Sequence, residues 1–183
     1  MAVLNILKAE HPVLRGKAKR ISRVDASLEK LIDDMVETLQ AANGVGLAAP
    51  QVGVPLRLSV VRVPAEYEEA HAGELFVLIN PEIIKSSEEH EVDEGCLSLP
   101  GYAGTIKRAQ KVTVKARDRH MKEYRVKADG LLAQALQHEI DHLNGVLFYD
   151  HLPSPEMLRR SQAATAEAAS HEGGPEAASG GSQ

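Results

Sequence analysis

The stretch Gln137-His138-Glu139-Ile140-Asp141-His142 constrains this chain more than any other. It lies inside Leu131 to Leu143, a run of helix-forming residues that Asp129-Gly130 leads into and Asn144-Gly145 closes. Residues four apart on a helix sit one turn above each other on the same face, so His138 and His142 can aim two imidazoles at one metal ion. Glu139 lies beside that face, within reach of the proton of a metal-bound water. This is the H-E-x-x-H pattern of two ligands plus a general base. Short matches also arise by chance, and exposed helices often carry His and Glu. The chain must therefore supply a third ligand.

The downstream positions do not. A metzincin continuation needs a third His six residues after the second, and Phe148 stands there, although Gly145 is in place. A thermolysin-like site takes a Glu from a later helix. The later glutamates are Glu156, Glu167, Glu172 and Glu176, in a segment whose Ala, Ser, Gly, Glu and Gln content cannot build a core. The ligand is expected upstream.

With 183 residues and 43% apolar content, the chain is long enough for one domain with its own core, and its four Tyr, two Phe and absent Trp make that core aliphatic. A net charge of −5 argues against a dominant nucleic-acid footprint and leaves no sign of direct nucleic-acid specificity. No apolar run approaches a membrane span, and the N-terminus lacks a signal peptide's apolar region and cleavage site; a cytoplasmic protein with no membrane partner is expected. Cys96 is the single cysteine, which excludes an internal disulfide framework. It is either a small buried hydrophobe or a thiolate with a task.

In chain order, residues 1–23 read as an ordered N-terminal arm broken by His11-Pro12. Leu28, Leu31, Ile32, Met35, Val36 and Leu39 then follow helical spacing, with Asp25 or Ser27 as cap and Asn43-Gly44 as stop. Gly44-Val45-Gly46-Leu47-Ala48-Ala49-Pro50-Gln51 is a tight small-residue segment where backbone can approach a ligand or another strand closely. Strands are expected over Leu56–Val63 and Leu75–Asn80, the latter ended by Pro81. A third begins at Ile83-Ile84 and runs into the acidic stretch Glu88–Glu94, read as a solvated strand edge. Val112–Ala116 and Tyr124–Ala128 alternate as a hairpin, and Val146–Leu152 reads as a final short strand. The fold expected is α+β, with an N-terminal helix, mostly antiparallel sheets and a long C-terminal helix carrying H-E-x-x-H. Residues 1–153 form the catalytic domain in this reading. Residues 154–183 form a tail, helical from about Pro155 to Ala169 and then disordered.

If Cys96 is a thiolate, it joins His138 and His142 in a three-ligand set that leaves the fourth position of a tetrahedral ion open, the mark of a catalytic rather than structural site. Gly44 to Gln51, Glu94-Gly95-Cys96-Leu97-Ser98 and Gln137 to His142 together resemble the three signature motifs of the peptide deformylase family, in order and spacing, over roughly residues 1–152. The resemblance implies removal of the N-formyl group from the initiator methionine of new polypeptides. It implies Cys96, His138 and His142 as metal ligands and Glu139 as general acid/base. The Gln51 amide and the Leu97 N–H would stabilise the oxyanion. The ligand set alone suggests zinc, whereas the resemblance implies ferrous iron, with zinc or nickel able to occupy the site.

Leu131, Gln134 and Ala135 precede His138 by seven, four and three residues on one helix face. With Val45 and Gly46 they would wall a slot for an unbranched methionine side chain. Gln134 stands where an apolar residue is common in the family, and Ala103 where many bacterial members place an arginine; both bear on substrate preference. The partners implied are N-formyl-methionyl nascent peptides and, through the tail, the ribosome near its exit tunnel. Two rival readings remain. A metal-dependent endopeptidase shares H-E-x-x-H but not the upstream Cys. A non-catalytic metal-binding or ribosome-associated protein would need neither Glu139 nor Gln51.

Overall fold

Asp25 starts the first long element. Its carboxylate accepts the Leu28 N–H at 2.9 Å and so satisfies a backbone donor that helix α1 (Ala26–Ala41) leaves unpaired. Asn43 ends the helix at φ 50°, the left-handed conformation that closes many helices. Leu28, Ile32, Met35 and Leu39 of the expected stripe are buried. The protein is seen here as a computed structural model describing residues 1–161.

The strands are β1 (Gly46–Ala48), β2 (Leu58–Val61), β3 (Phe76–Cys96), β4 (Leu99–Arg117), β5 (Glu123–Asp129) and β6 (Arg159–Arg160). They pair antiparallel in the order β1-β2-β3-β4-β5, with β6 added to β4 opposite Tyr102 and Ala103. Helix α2 (Gly130–Leu143) follows β5 directly. This is the α+β architecture that the order of elements in the sequence predicts.

The alternation of side chains along β2 explains how two helices share one sheet. Leu58 and Val60 pack with Ile32, Met35 and Leu39 of α1. Val61 packs instead with Leu132, Ala133, Leu136 and Ile140 of α2. Both faces of β2 are therefore covered, and all four of its residues are buried. Among the largest fully buried side chains only Phe148 is aromatic, so the core is aliphatic as composition requires.

The N-terminal arm is ordered. It forms a 3-10 turn at Pro12–Arg15, and Arg15 pairs with Asp150 at 2.5 Å. The Asn80 amide accepts the Ile21 N–H at 2.9 Å and donates to the Ile21 carbonyl at 2.7 Å, clamping the arm to the sheet.

Three local expectations are corrected. Pro81 does not end a strand: β3 runs through it, with Asn80 at φ 50° and a register shift between Ile79 and Glu82. A residue without an N–H is tolerated where the ladder is already interrupted. The segment Val146–Leu152 is not a strand but a 3-10 turn at Phe148–His151, because Asp150 turns back to accept the Leu147 N–H at 2.9 Å. Nor does a helix begin near Pro155. A 3-10 turn at Pro155–Met157 leads into β6, and the Ser161 N–H donates to the Gly101 carbonyl at 2.8 Å. The remainder of that expected helix, and the expected disordered end, lie outside the described residues.

Candidate active site

Two elements meet at the site. Helix α2 carries His138, Glu139 and His142, and the end of β3, at the tight turn into β4, carries Cys96. The Cys96 Sγ lies 3.3 Å from the His142 Nε2, which lies 3.1 Å from the His138 Nε2. One donor atom from each of the three residues falls within 4.8 Å of the others. Donors held 2.0–2.3 Å from one tetrahedral ion stand about 3.3–3.7 Å apart, so this cluster is close to the required spacing.

The imidazoles are oriented from behind. The His138 Nδ1 lies 2.8 Å from the Glu94 Oε2, which assigns the proton to Nδ1 and leaves the Nε2 lone pair for a ligand bond. Glu94 is held in turn by Arg108, through Nε at 3.0 Å and Nη2 at 2.6 Å, and the Arg108 Nη1 donates to Asp141 at 2.7 Å. Burial alone would raise the Glu94 carboxyl; the bonds from His138 and Arg108 overcome it and hold the group at about 2. Phe148 stacks over the His138 ring at 6.4 Å between centroids. The position where a third His was sought thus carries an apolar wall for the first, His138.

Burial, with His138 adjacent, pulls the His142 imidazole well below its ordinary range and keeps it neutral, as a ligand must be. Glu139 is 3% exposed, and burial pushes its carboxyl up to about 7. Its Oε2 is buried with no hydrogen-bond partner. Gly46 on β1 presses against the same carboxylate: a Cβ added there would stand 2.3 Å from the Glu139 Oε1. The close backbone approach anticipated for this segment is therefore to the Glu139 side chain of helix α2.

Gln51 is fully buried. Its Oε1 accepts the Ala48 N–H at 2.9 Å, while its Nε2 donates to the Ser98 Oγ at 3.1 Å and lies 3.6 Å from the Cys96 Sγ. The Ser98 N–H points at the same sulfur at 3.4 Å. Two donors thus converge on one sulfur.

A cleft of about 490 Å³ opens in front of these groups. Val45, Gly46, Leu131, Gln134 and Ala135 line it beside Cys96, Leu97, His138 and Glu139. Gln51 and His142 stand behind that wall, against Cys96 and His138. The Gln134 amide donates to the Asp93 carbonyl at 2.9 Å, so its polar end is satisfied within the protein. Sequence reading assigned no role to Arg108 or Asp141 and placed Glu94 on a solvated edge. Glu94 is in fact 5% exposed. The only signal available was its place two residues before Cys96, and the surrounding acidic run masked it.

The donor set, the proton on the His138 Nδ1 and the unpartnered Glu139 oxygen all fit a single divalent ion with water beside it. A family model described as polypeptide deformylase matches residues 3–157. The chain belongs to the polypeptide deformylase family. It is 52% identical over 158 residues to the peptide deformylase of Dehalococcoides mccartyi, covering 86% of this chain and 91% of that protein. It is 53% identical over 153 residues to that of Thermodesulfovibrio yellowstonii, covering 83% and 90%. Among solved structures it resembles the Legionella pneumophila peptide deformylase at 50% identity and a TM-score of 0.79, covering 85% of this chain and 89% of that one. The peptide deformylase of Ehrlichia chaffeensis, solved with actinonin, aligns at 40% identity and a TM-score of 0.81, covering 95% and 100%. This protein is accordingly a metallohydrolase of that family. Among the described residues no helix is long and apolar enough to cross a membrane.

Proposed function

We propose that this chain hydrolyses the N-formyl group from the formyl-methionine that begins new polypeptides, releasing formate. The observation that carries the reading is the Glu139 carboxylate. It is buried, pushed up to about 7, unpartnered at Oε2, and carried on the helix face whose two imidazoles converge with Cys96.

In this reading the Cys96 Sγ, the His138 Nε2 and the His142 Nε2 hold one divalent ion, ferrous iron as the family resemblance implies, with zinc or nickel as substitutes. When bound, that ion supplies the Lewis acidity that makes water a usable nucleophile near neutral pH. Glu139 takes the proton of the attacking water at its free oxygen and delivers it to the departing amine. A buried carboxyl with one oxygen free can do both in turn. The Gln51 Nε2 and the Leu97 N–H donate to the oxygen that gains charge as the formyl carbon becomes tetrahedral, each such donor contributing about 3 kcal/mol. Val45, Gly46, Leu131, Gln134 and Ala135 enclose the methionine side chain.

The pairing of β6 with β4 supports a catalytic domain that continues past 153 to Ser161. A cytoplasmic location follows from the substrate, which emerges at the ribosome; docking near the exit tunnel would suit an enzyme that meets its substrate there.

The test is Glu139→Gln, which keeps size and removes the proton shuttle. Formate release from formyl-Met-Ala-Ser is expected to fall at least about a hundredfold, within the range for a positioned acid/base, while metal content stays near one ion per chain. His142→Ala is expected to lose metal and activity together. A fully metallated Glu139→Gln protein working at near wild-type rate would refute the reading. The ion is tested separately: the iron form should lose activity in air while a nickel form persists, because oxygen attacks ferrous iron and the Cys96 thiolate together. Equal air stability of the two forms would count against iron.

A further inference from the structure

The cleft has a rim that the reaction described above does not use. Its far end is lined by Gly101 and Tyr102 of β4 and by Ser161, which follows β6. The two-residue strand β6 crosses β4 there, with Arg160 directly opposite Tyr102 and Arg159 opposite Ala103. Directly opposed residues on antiparallel strands put their side chains on one face. Arg160 therefore shares the face of Tyr102, and its guanidinium carbon lies 5.9 Å from the centre of the Tyr102 ring, within cation–π range.

The two arginines differ in how they are neutralised. Arg159 Nη2 pairs with Asp93 at 2.8 Å, and its Nη1 reaches the Thr105 Oγ1 at 3.4 Å. Arg160 is exposed and has no carboxylate partner among the described residues. Asp93, also on the cleft wall, is already matched by Arg159, and the Glu94 and Arg108 charges cancel behind it. Arg160 thus offers a cation with no anionic partner among the described residues, on a chain whose net charge is −5.

A substrate whose formyl group sits at Glu139 and Cys96, and whose first side chain fills the slot beside Leu131, must leave the cleft with its later residues along a rim. We propose that Arg160, held on the Tyr102 ring by β6, is a specificity-determining residue that favours acidic side chains among the first residues after the formyl-methionine. This rests on the deformylase reading. An exposed pair of opposite charges of this kind is worth about two- to fivefold in binding, and it is screened by salt.

The test uses the full chain in its metallated form with two C-terminally amidated peptides, formyl-Met-Ala-Asp-Asp-amide and formyl-Met-Ala-Lys-Lys-amide, so that side chains carry the only variable charge. For the wild type the ratio of kcat/KM, acidic over basic, is expected above one at low salt and to fall toward one at about 1 M salt, where the screening length is short. Arg160→Glu is expected to lower that ratio about fivefold or more, through KM rather than kcat; Arg160→Lys should largely preserve it. A substitution that merely loosened β6 would change both peptides alike. An unchanged ratio in Arg160→Glu, or equal losses on both peptides, overturns the proposal and leaves the deformylase reading intact. Wild-type failure to release formate from either peptide overturns both.

Discussion

Helices α1 and α2 are both amphipathic, yet they are built on opposite terms. Helix α1 draws mainly on itself. Its own Asp25 caps it, and its buried stripe is mainly Leu28, Ile32, Met35 and Leu39. Of its two buried polar side chains, Asp34 pairs with Lys30 one turn earlier and the Thr38 hydroxyl donates to the Asp34 carbonyl at 2.6 Å; both also accept N–H groups of the N-terminal arm, from Ala2 and Leu4. Helix α2 buries ten of its fourteen residues, among them Gln137, His138, Glu139 and His142. Burying a polar group without a partner is costly, and for Gln137 and His138 the partners come largely from elsewhere in the chain, while the Glu139 Oε2 and the His142 Nδ1 have none. Glu94 serves His138, and the backbone of Ala109 accepts from and donates to the Gln137 amide at 2.9 Å each way. Even the N-terminus of α2 is capped remotely: Asp129 makes no side-chain cap bond, and Glu69 of the 64–74 loop accepts the Leu131 and Leu132 N–H groups at 2.7 and 3.2 Å. The Gly130 position at φ 56° leaves room for that carboxylate, since a Cβ there would meet the Glu69 Oε1 at 2.6 Å. A structural helix can be written locally. One that buries a polar site must be completed by the fold.

That contrast is sharpest at Glu94. Glu94→Gln leaves Arg108 without its main counter-charge and weakens the hold on the His138 Nδ1. A stability loss of about 3 kcal/mol is expected in urea unfolding, as for other broken buried pairs, with metal affinity about ten- to a hundredfold weaker by competition with a chelator. The sign of the pH effect follows from the folded-state value of about 2 against an ordinary 4.5. A depressed carboxyl contributes stability that is fully present above 4.5 and is lost as pH falls toward 2, so acid unfolding should start at lower stability in the variant and slope less steeply over that window. Full metal affinity in Glu94→Gln would show that α2 needs less outside support than its geometry indicates.

Met35→Ala in α1 is the opposing case. Removing a fully buried side chain should cost about 3 kcal/mol in the same unfolding assay, yet leave metal content and kcat/KM unchanged at temperatures where the protein stays folded. A selective loss of activity would mean that α1 also sets the site. The smallest effect is expected from Glu69→Ala, which removes the borrowed cap. About 1 kcal/mol of stability should go, with earlier amide exchange at Leu131 and Leu132 than at Leu28. Unchanged exchange at those two amides would make the remote cap dispensable.

The sequence by itself determined what depends on neighbours along the chain. The start of α1 at Asp25, its stripe, its stop at Asn43-Gly44, and the pairing of His138 with His142 all follow from residues within one or two helical turns. The span expected for α2, Leu131–Leu143, lies one residue inside the Gly130–Leu143 of the structure. The three motifs, read as a resemblance, also named the family. Only tertiary structure decided which charges are buried. Glu94 sat in an acidic run that reads as solvated, because the cost of burying a carboxylate is set by whether a cation faces it, and Arg108 comes from the opposite strand of a long hairpin. The same reason hid Glu69, which accepts the N–H of Leu131, sixty-two residues further along the chain. It also hid β6, whose two arginines read as part of a helical tail until their pairing with β4 put Arg160 opposite Tyr102, which lines the cleft. Propensity is local, whereas hydrogen-bond and charge satisfaction belong to the assembled fold.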